Sequence, residues 1–230
     1  EPWAFGPEDT RIMRDAIRLR YAFLPYSYSE FIHSVETLTP FVTPLCFIFD
    51  DNRVGNIEDQ FMVGQSLMVA PVIHSNAGGR YVHLPRERWL HWNAARYDHR
   101  TMKVMHPGDY FIKADLTKIP LFIRENRLVA ITEPVAHMGL YQPKRLILCG
   151  LVTSRAELTI HEDDGDTFGF RMGKRSHLSV TVEHAHCGYQ VALELDEHPE
   201  APFTVETLEI EIYDENGNMT TIEKKVRSAC

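Results

Sequence analysis

Apolar residues in the first third of the chain recur at intervals of three and four, the period of one face of an α-helix. Gly6-Pro7 followed by two acids is typical of a helix start, and Thr39-Pro40 of a helix end. Pro25 removes a main-chain hydrogen bond to the carbonyl of Tyr21, so we predict a kink there. The expected buried face consists of Met13, Ile17, Tyr21, Leu24, Tyr28, Phe31, Val35 and Leu38.

The segment after this helix is apolar at almost every position. Residues 41–49 therefore predict a parallel strand that is covered on both faces and ends at Asp50-Asp51-Asn52. Residues 57–63 predict a short helix before Gly64. A strand that is apolar on both sides needs neighbouring strands and helices, so we expect this part to belong to a larger assembly.

From residue 66 onward the pattern changes to short strand-like runs separated by turn residues. Asn216-Gly217 lies between two of these runs and predicts a type I′ hairpin. Regular spacing of short strands is typical of antiparallel sandwiches, and residues 134–143, with proline at both ends, form the best internal boundary. The predicted strands are residues 67–73, 80–84, 110–113, 121–124, 128–131, 146–149, 157–161, 178–182, 190–195, 205–213 and 221–226.

Composition narrows the function classes. The 230 residues carry a net charge of -8 and no cluster of lysines and arginines, which argues against nucleic acid as a partner. No apolar run approaches the roughly 20 residues of a membrane span. The four cysteines have no metal-site or redox spacing and predict free thiols and a cytoplasmic location: Cys46, Cys149, Cys187 and Cys230. Because Glu1 opens the chain without an initiator methionine, we expect a part of a longer protein.

Several blocks resemble glycoside hydrolase family 31, the α-glucosidase and α-xylosidase family, in the family's order. The resemblance is strongest over residues 1–131 and weaker over residues 142–185. Glu125-Asn126 departs from the family's Ala-Gly, and Thr43 replaces an arginine, which leaves the identity of the sugar open. The blocks are EPWAF (1–5), LRY (19–21), LPYSY (24–28), TPL (43–45), FDD (49–51), DQFMVG (59–64), LMVAPV (67–72), IPLFIR (119–124) and HEDDG (161–165).

This resemblance implies a mainly β fold of two antiparallel sandwiches preceded by the last β/α elements of a (β/α)8 barrel. Residues 1–65 would close the barrel, residues 66–135 would form the proximal sandwich, and residues 136–230 the distal one. The implied activity is a retaining α-glycosidase that hydrolyses α-linked oligosaccharides. The implied partner is the remaining barrel portion of the same protein, with no cofactor and no metal.

Retaining glycosidases use two carboxylates about 5–5.5 Å apart. The family's motifs for both carboxylates are missing from this sequence, so we assign no catalytic residue and expect the chain alone to be inactive. Three residues would lie at the rim of the barrel and could contact sugar: Trp3, Phe5 and Asp50.

Simpler interpretations stand beside these assignments. Tryptophan is usually buried, so the simpler expectation places Trp3 in the core rather than at a sugar. Aspartates after a strand usually form turns, which is the simpler interpretation of Asp50 and Asp51. Residues 162–166 predict a solvated acidic turn rather than a calcium loop, and His184 and His186 a strand end rather than a metal site. Trp89 and Trp92 are expected in the core. The alternatives for function are a non-catalytic carbohydrate-binding or structural sandwich, and an α-xylosidase as the parent enzyme.

Overall fold

The computed structural model describes residues 1–75, 77–94 and 102–227, and over these the protein is mainly β. Cys230 lies outside the described residues. None of the helices in the described ranges is both long and apolar enough to cross a membrane.

The N-terminal helical segment forms two helices. α1 (Pro7–Ala22) and α2 (Leu24–Thr37) meet at Phe23, whose ψ of 3° departs from helical geometry, and Pro25 occupies the first turn of α2. Proline is tolerated there because the first amides of a helix have no intrahelical acceptor. The chain leaves α2 at Leu38, in a left-handed conformation with φ 57°. The predicted start, interruption and end of the helical segment are confirmed.

The predicted buried face of these helices is wrong. Ile17, Phe31, Val35 and Leu38 are about half exposed or more, up to 90% for Leu38. The buried positions lie on a different face of the helices. Polar residues can be buried on that face because they form hydrogen bonds with other parts of the protein. The Oγ of Ser29 accepts a hydrogen bond from the amide of His161. The buried residues are Leu19, Ala22, Phe23, Pro25, Tyr26, Ser29, Glu30 and Ile32.

Residues 41–49 do not form the predicted parallel strand. β1 (Val42–Pro44) covers three of them and pairs antiparallel with β2 (Phe61–Val63), and Leu45–Phe47 is a 3-10 helix. A strand needs hydrogen-bonding neighbours, and these residues instead insert Leu45 and Phe49 into a core. The helix predicted for residues 57–63 is also wrong, since β2 occupies its last part.

Four sheets contain the fifteen strands of the described residues. Their orders are β1-β2-β3-β8-β5-β6, β15-β14-β10-β9, β11-β12-β13 and β4-β7. All eleven strands predicted from residue 66 onward are found, with shifted ends, whereas β2, β5 and β6 were not predicted as strands. The remaining bounds are β3 (Leu67–Val69), β4 (Gly79–Leu84), β5 (Trp89–Ala94), β6 (Lys103–Met105), β7 (Gly108–Lys113), β8 (Ile119–Arg124), β9 (Arg127–Ile131), β10 (Arg145–Leu151), β11 (Arg155–Glu162), β12 (Ser176–Ala185), β13 (Gly188–Asp196), β14 (Thr207–Tyr213) and β15 (Met219–Lys225).

Among the strands predicted from residue 66 onward, strand direction agrees with the antiparallel prediction except in one pair. β10 and β14 run parallel, with Arg145 opposite Thr207, and all other pairs of the described strands are antiparallel. The predicted hairpin between β14 and β15 is confirmed, but its turn is not type I′. Only Gly217 has a positive φ (83°), whereas a type I′ turn requires one at Asn216 as well.

Two hydrophobic cores hold these sheets together. The larger joins Leu19 of α1 to strands as distant as β14, and the smaller surrounds Trp89 and Phe122. Trp89 and Trp92 are fully buried, which confirms their core assignment. The predicted boundary at residue 65 falls between the paired strands β2 and β3, and the boundary at 135 falls between the paired strands β9 and β10. The division into a barrel end and two sandwiches remains a proposal.

Candidate functional site

Two of the predicted sugar-contacting residues lie at the N-terminus on an exposed 3-10 helix, Pro2–Phe5. Trp3 is 69% exposed and Phe5 is 62% exposed. The Thr10 hydroxyl lies 3.0 Å from the Pro2 carbonyl, which holds this turn against α1. The expectation that Trp3 packs in the core is therefore wrong for this chain, and both rings are available to a partner.

Asp50 lies in a different neighbourhood. Its main-chain carbonyl accepts a hydrogen bond from Arg86, and the carboxylate of the adjacent Asp51 accepts from the amide of Arg53 at 2.9 Å. The second contact confirms the turn-forming interpretation for Asp51. No hydrogen bond or ring contact among the described residues joins Asp50 to Trp3 or Phe5. The structure therefore does not assemble the three predicted rim residues into one site.

Asp51 also belongs to an ionic network that the sequence did not reveal. His83 contacts Asp51 Oδ2 at 3.1 Å through Nε2 and Asp109 Oδ1 at 2.8 Å through Nδ1. Arg53 forms a further ion pair with Asp109. Hydrogen bonds from Arg53 and His83 hold the pKa of both carboxyls below their usual range. The network ties the segment after residue 49 to the β4–β7 sheet.

A polar cleft of about 450 Å³ separates α2 from β11 and β12. Glu30 and His33 reach it from α2, Arg127 from β9, and the facing rings of His161 and His177 from β11 and β12, with centroids 5.6 Å apart. Burial raises the pKa of the Glu30 carboxyl and, with the charge of neighbouring Arg175, lowers the pKa of His161 to about 4. The cleft therefore contains a histidine that favours the neutral form.

The acidic segment 162–166 behaves as a turn. Asp163 Oδ1 accepts from the amide of Gly165 at 2.8 Å, and Asp164 Oδ1 accepts from the amides of Asp166 and Thr167. These bonds are local, as the turn interpretation predicts. Two acids of the segment also bond to distant residues: the Tyr28 hydroxyl donates to Asp163 Oδ2, and the Thr204 amide donates to Glu162 Oε2 at 2.5 Å. Within the described ranges, no group of three or more His, Cys, Asp or Glu side chains is arranged to hold a metal ion.

One apolar surface of the helices is largely uncovered by the described residues, apart from an edge-to-face contact between the rings of Phe31 and Phe41, whose centroids lie 6.3 Å apart. Phe31, Val35 and Leu38 follow one face of α2 and its end, and we call them the α2 stripe; they are 52%, 59% and 90% exposed. Val42 and Phe47, in the next segment, are 51% and 73% exposed. Contiguous exposed apolar surface of this kind marks an interaction site.

Comparison with known proteins connects this architecture to a family of enzymes. Residues 38–129 match the sequence model described as the glycosyl hydrolase family 31 C-terminal domain. The chain is 31% identical over 187 residues to alpha-glucosidase 2 of Bacillus thermoamyloliquefaciens, and 34% identical over 177 residues to neutral alpha-glucosidase C of Homo sapiens. The chain belongs to glycoside hydrolase family 31. This finding confirms the resemblance carried by the sequence blocks.

This chain spans less than a quarter of the length of these relatives. The alignments include 80% of this chain but 23% of the Bacillus enzyme, and 74% of this chain but 19% of the human one. Solved structures share the fold. A dextranase of Flavobacterium johnsoniae superimposes with a TM-score of 0.82 at 22% identity, over 93% of this chain and 26% of its own. An α-xylosidase of Xanthomonas citri gives 0.75 at 21% identity, over 96% of this chain and 25% of its own.

Sequence reasoning missed the features that depend on residues far apart in the chain. The His83 network joins residues 51, 53, 83 and 109, and the cleft joins α2 to β11 and β12. The one usable signal was polarity within the helix. Ser29 and Glu30 are close in sequence to the α2 stripe. A polar residue whose side chain is hydrogen-bonded can lie on the buried face of a helix, as an apolar residue can.

Proposed function

We propose that this chain is the C-terminal part of a retaining, α-glucosidase-like enzyme that hydrolyses α-glycosidic bonds of oligosaccharides. Its role is to close and support the catalytic barrel, and the catalytic carboxylates come from the remaining part of the same protein. The α-glucosidase names of its relatives support this activity over the α-xylosidase alternative. The cytoplasmic location is part of the same proposal and is consistent with the free thiols of Cys46, Cys149 and Cys187.

The observation that carries the supporting role is the exposed α2 stripe. The opposite side of α2 is fixed by Tyr26, which is fully buried and whose hydroxyl donates to the Val63 carbonyl at 2.7 Å and accepts from the Ser66 amide at 3.0 Å. The helix is thus clamped on one side and leaves an apolar surface on the other. Covering this surface with barrel residues removes apolar area from water and stabilises the joint.

A charge placed on the α2 stripe tests this role. Val35→Asp should leave the thermal midpoint of the 230-residue chain nearly unchanged, because Val35 is already 59% exposed. In the whole enzyme that carries this chain with the barrel, the same change should lower both the thermal midpoint and kcat/KM for p-nitrophenyl α-glucoside. Leu116→Asp is the matched control, since Leu116 is 82% exposed in the turn after β7. Equal effects of the two variants in the whole enzyme would reject the supporting role of the stripe.

A further inference from the structure

Two aromatic side chains form an exposed pair on the β4–β7 sheet. Tyr81 of β4 and Phe111 of β7 are direct cross-strand partners, and they are 76% and 52% exposed. Their ring centroids lie 5.2 Å apart at an interplanar angle of 70°, an edge-to-face arrangement. This contact restricts the Tyr81 ring, so the exposed ring presents an apolar face that is ordered before any ligand arrives.

A polar groove of about 540 Å³ begins beside Tyr81. Arg53, Arg80 and His83 line it together with Asp59 and Asp109. The charged groups pair with one another: Arg80 Nη2 lies 2.7 Å from Asp59 Oδ1, and Arg53 pairs with Asp109. The two arginines balance the two aspartates. Asn56 also lines the groove, whereas the amide of Gln60 is already hydrogen-bonded to the His83 backbone at both ends.

The chemistry of this surface selects among ligand classes. An ionic ligand would have to compete with ion pairs that are already formed, and a purely apolar ligand would strip water from polar groups without replacing its hydrogen bonds. A sugar ring meets both requirements, because it has an apolar face for the aromatic pair and a rim of hydroxyls for the groove. We propose that Tyr81, Phe111 and the adjacent groove bind a neutral saccharide.

The choice of an α-linked glucan as the saccharide rests on the proposed function. The site itself is inferred from the geometry of Tyr81, Phe111 and the groove, independently of that function. The sequence shows no row of aromatic residues, because Tyr81 and Phe111 lie on strands that are far apart in the chain. The pairing of β4 with β7 brings them together. The structure thus supplies the aromatic surface that the carbohydrate-binding alternative required.

Titration of the 230-residue chain with maltotriose, followed by NMR chemical shifts, tests the site. Saturable shifts are expected at residues of β4 and β7, with a Kd in the millimolar range. Tyr81→Ala should weaken binding about five- to tenfold, since a lost stacking contact removes roughly that much affinity. Tyr81→Phe should bind within about twofold of the unaltered chain, because the ring that stacks is kept. Phe168→Ala, which removes another ring that is 69% exposed, should bind as the unaltered chain does.

Each result decides the proposal. Saturable binding that Tyr81→Ala weakens and Phe168→Ala does not supports it. Absence of saturable shifts, or an equal loss in both alanine variants, overturns it; thermal midpoints equal to that of the unaltered chain show that the variants fold. The titration involves no turnover, so it can fail while the supporting role in an α-glycosidase stands. Binding of maltotriose would likewise survive a failure of the α2-stripe experiment.

Discussion

Gly64 turns the chain between β2 and β3 with φ 59°, directly against a buried carboxylate. A Cβ at this position would lie 2.3 Å from Glu30 Oε2, the oxygen that accepts a hydrogen bond from the Gln65 amide at 2.9 Å. Gly64→Ala should lower the free energy of unfolding by about 1–3 kcal/mol, from backbone strain and displacement of Glu30. Gly55→Ala is the control, because a Cβ there meets nothing within 4 Å. Urea unfolding measures both, and similar midpoints for the two variants would contradict the close-packing account.

Two partly buried histidines make stability depend on pH. Burial lowers the pKa of His91 and of His161 to about 4, from an ordinary value of 6.5. At these two sites the unfolded chain binds more protons between these values, so their contribution to the free energy of unfolding should fall as the pH drops from about 6.5 towards 4. The raised pKa of the Glu30 carboxyl contributes with the opposite sign. The charges that act on His161 come from Arg175, His177, His33 and Glu36, so its protonation adds a positive charge near a guanidinium.

Urea unfolding at a series of pH values measures this dependence. His161→Phe removes one of the two groups, so the fall in stability between pH 6.5 and 4 should become shallower. An unchanged slope in this variant would show that His161 is not held neutral in the folded chain.

Burial of single residues could be predicted where the local pattern decides it. Trp89 and Trp92 were expected in the core and are fully buried. Trp3 was also expected there, yet it is 69% exposed. Trp3 and Trp89 are the same residue type, so their different exposure depends on which residues pack against each ring. The local sequence around a tryptophan does not specify those residues.

Among the elements, helix ends were predictable and the helix face was not. Gly6-Pro7 and Thr39-Pro40 act through local backbone chemistry, which any chain context preserves. The buried face depends on which other elements meet the helix. Here Ser29 and Glu30 meet β11 and the β2–β3 turn, and their hydrogen bonds make a polar face the inner one.

The segment 41–49 shows the same dependence for a strand. Its apolar composition indicates burial, and Leu45 and Phe49 are indeed buried. Composition does not specify which hydrogen-bonding neighbours are present, and here the segment pairs only through β1 among the described residues. Burial was therefore predictable for part of this segment, and its secondary structure was not.

The β14–β15 hairpin depends on one aspartate. Asp214 Oδ1 accepts from the amides of Asn216 and Asn218 at 2.8 and 2.9 Å, and Oδ2 accepts from the Asn218 side chain at 2.8 Å. Asp214→Ala leaves these donors to solvent and should cost about 1–2 kcal/mol of unfolding free energy. Asn216→Ala, which keeps its main-chain donor, should change stability by less than about 0.5 kcal/mol. Equal unfolding free energies of the two variants would show that the aspartate does not hold the turn.

At the scale of the whole molecule, the larger core joins parts of the chain that look separate in sequence. It contains Leu19 and Tyr26 from the helices, Leu121 from β8 and Leu178 from β12. The parallel pairing of β10 with β14 adds a connection across the distal part. Periodicity describes each element alone, so it predicted the strands without predicting how elements that are distant in sequence share one core.

We propose that this family 31 chain supports a catalytic barrel and does not itself catalyse hydrolysis. Turnover of p-nitrophenyl α-glucoside and p-nitrophenyl α-xyloside by the purified 230-residue chain tests it most directly, with the whole enzyme assayed in parallel. The account predicts no turnover above the buffer rate for the chain alone, and hydrolysis of the glucoside by the whole enzyme. Turnover by the chain alone would contradict it, because the carboxylates would then have to lie within these residues.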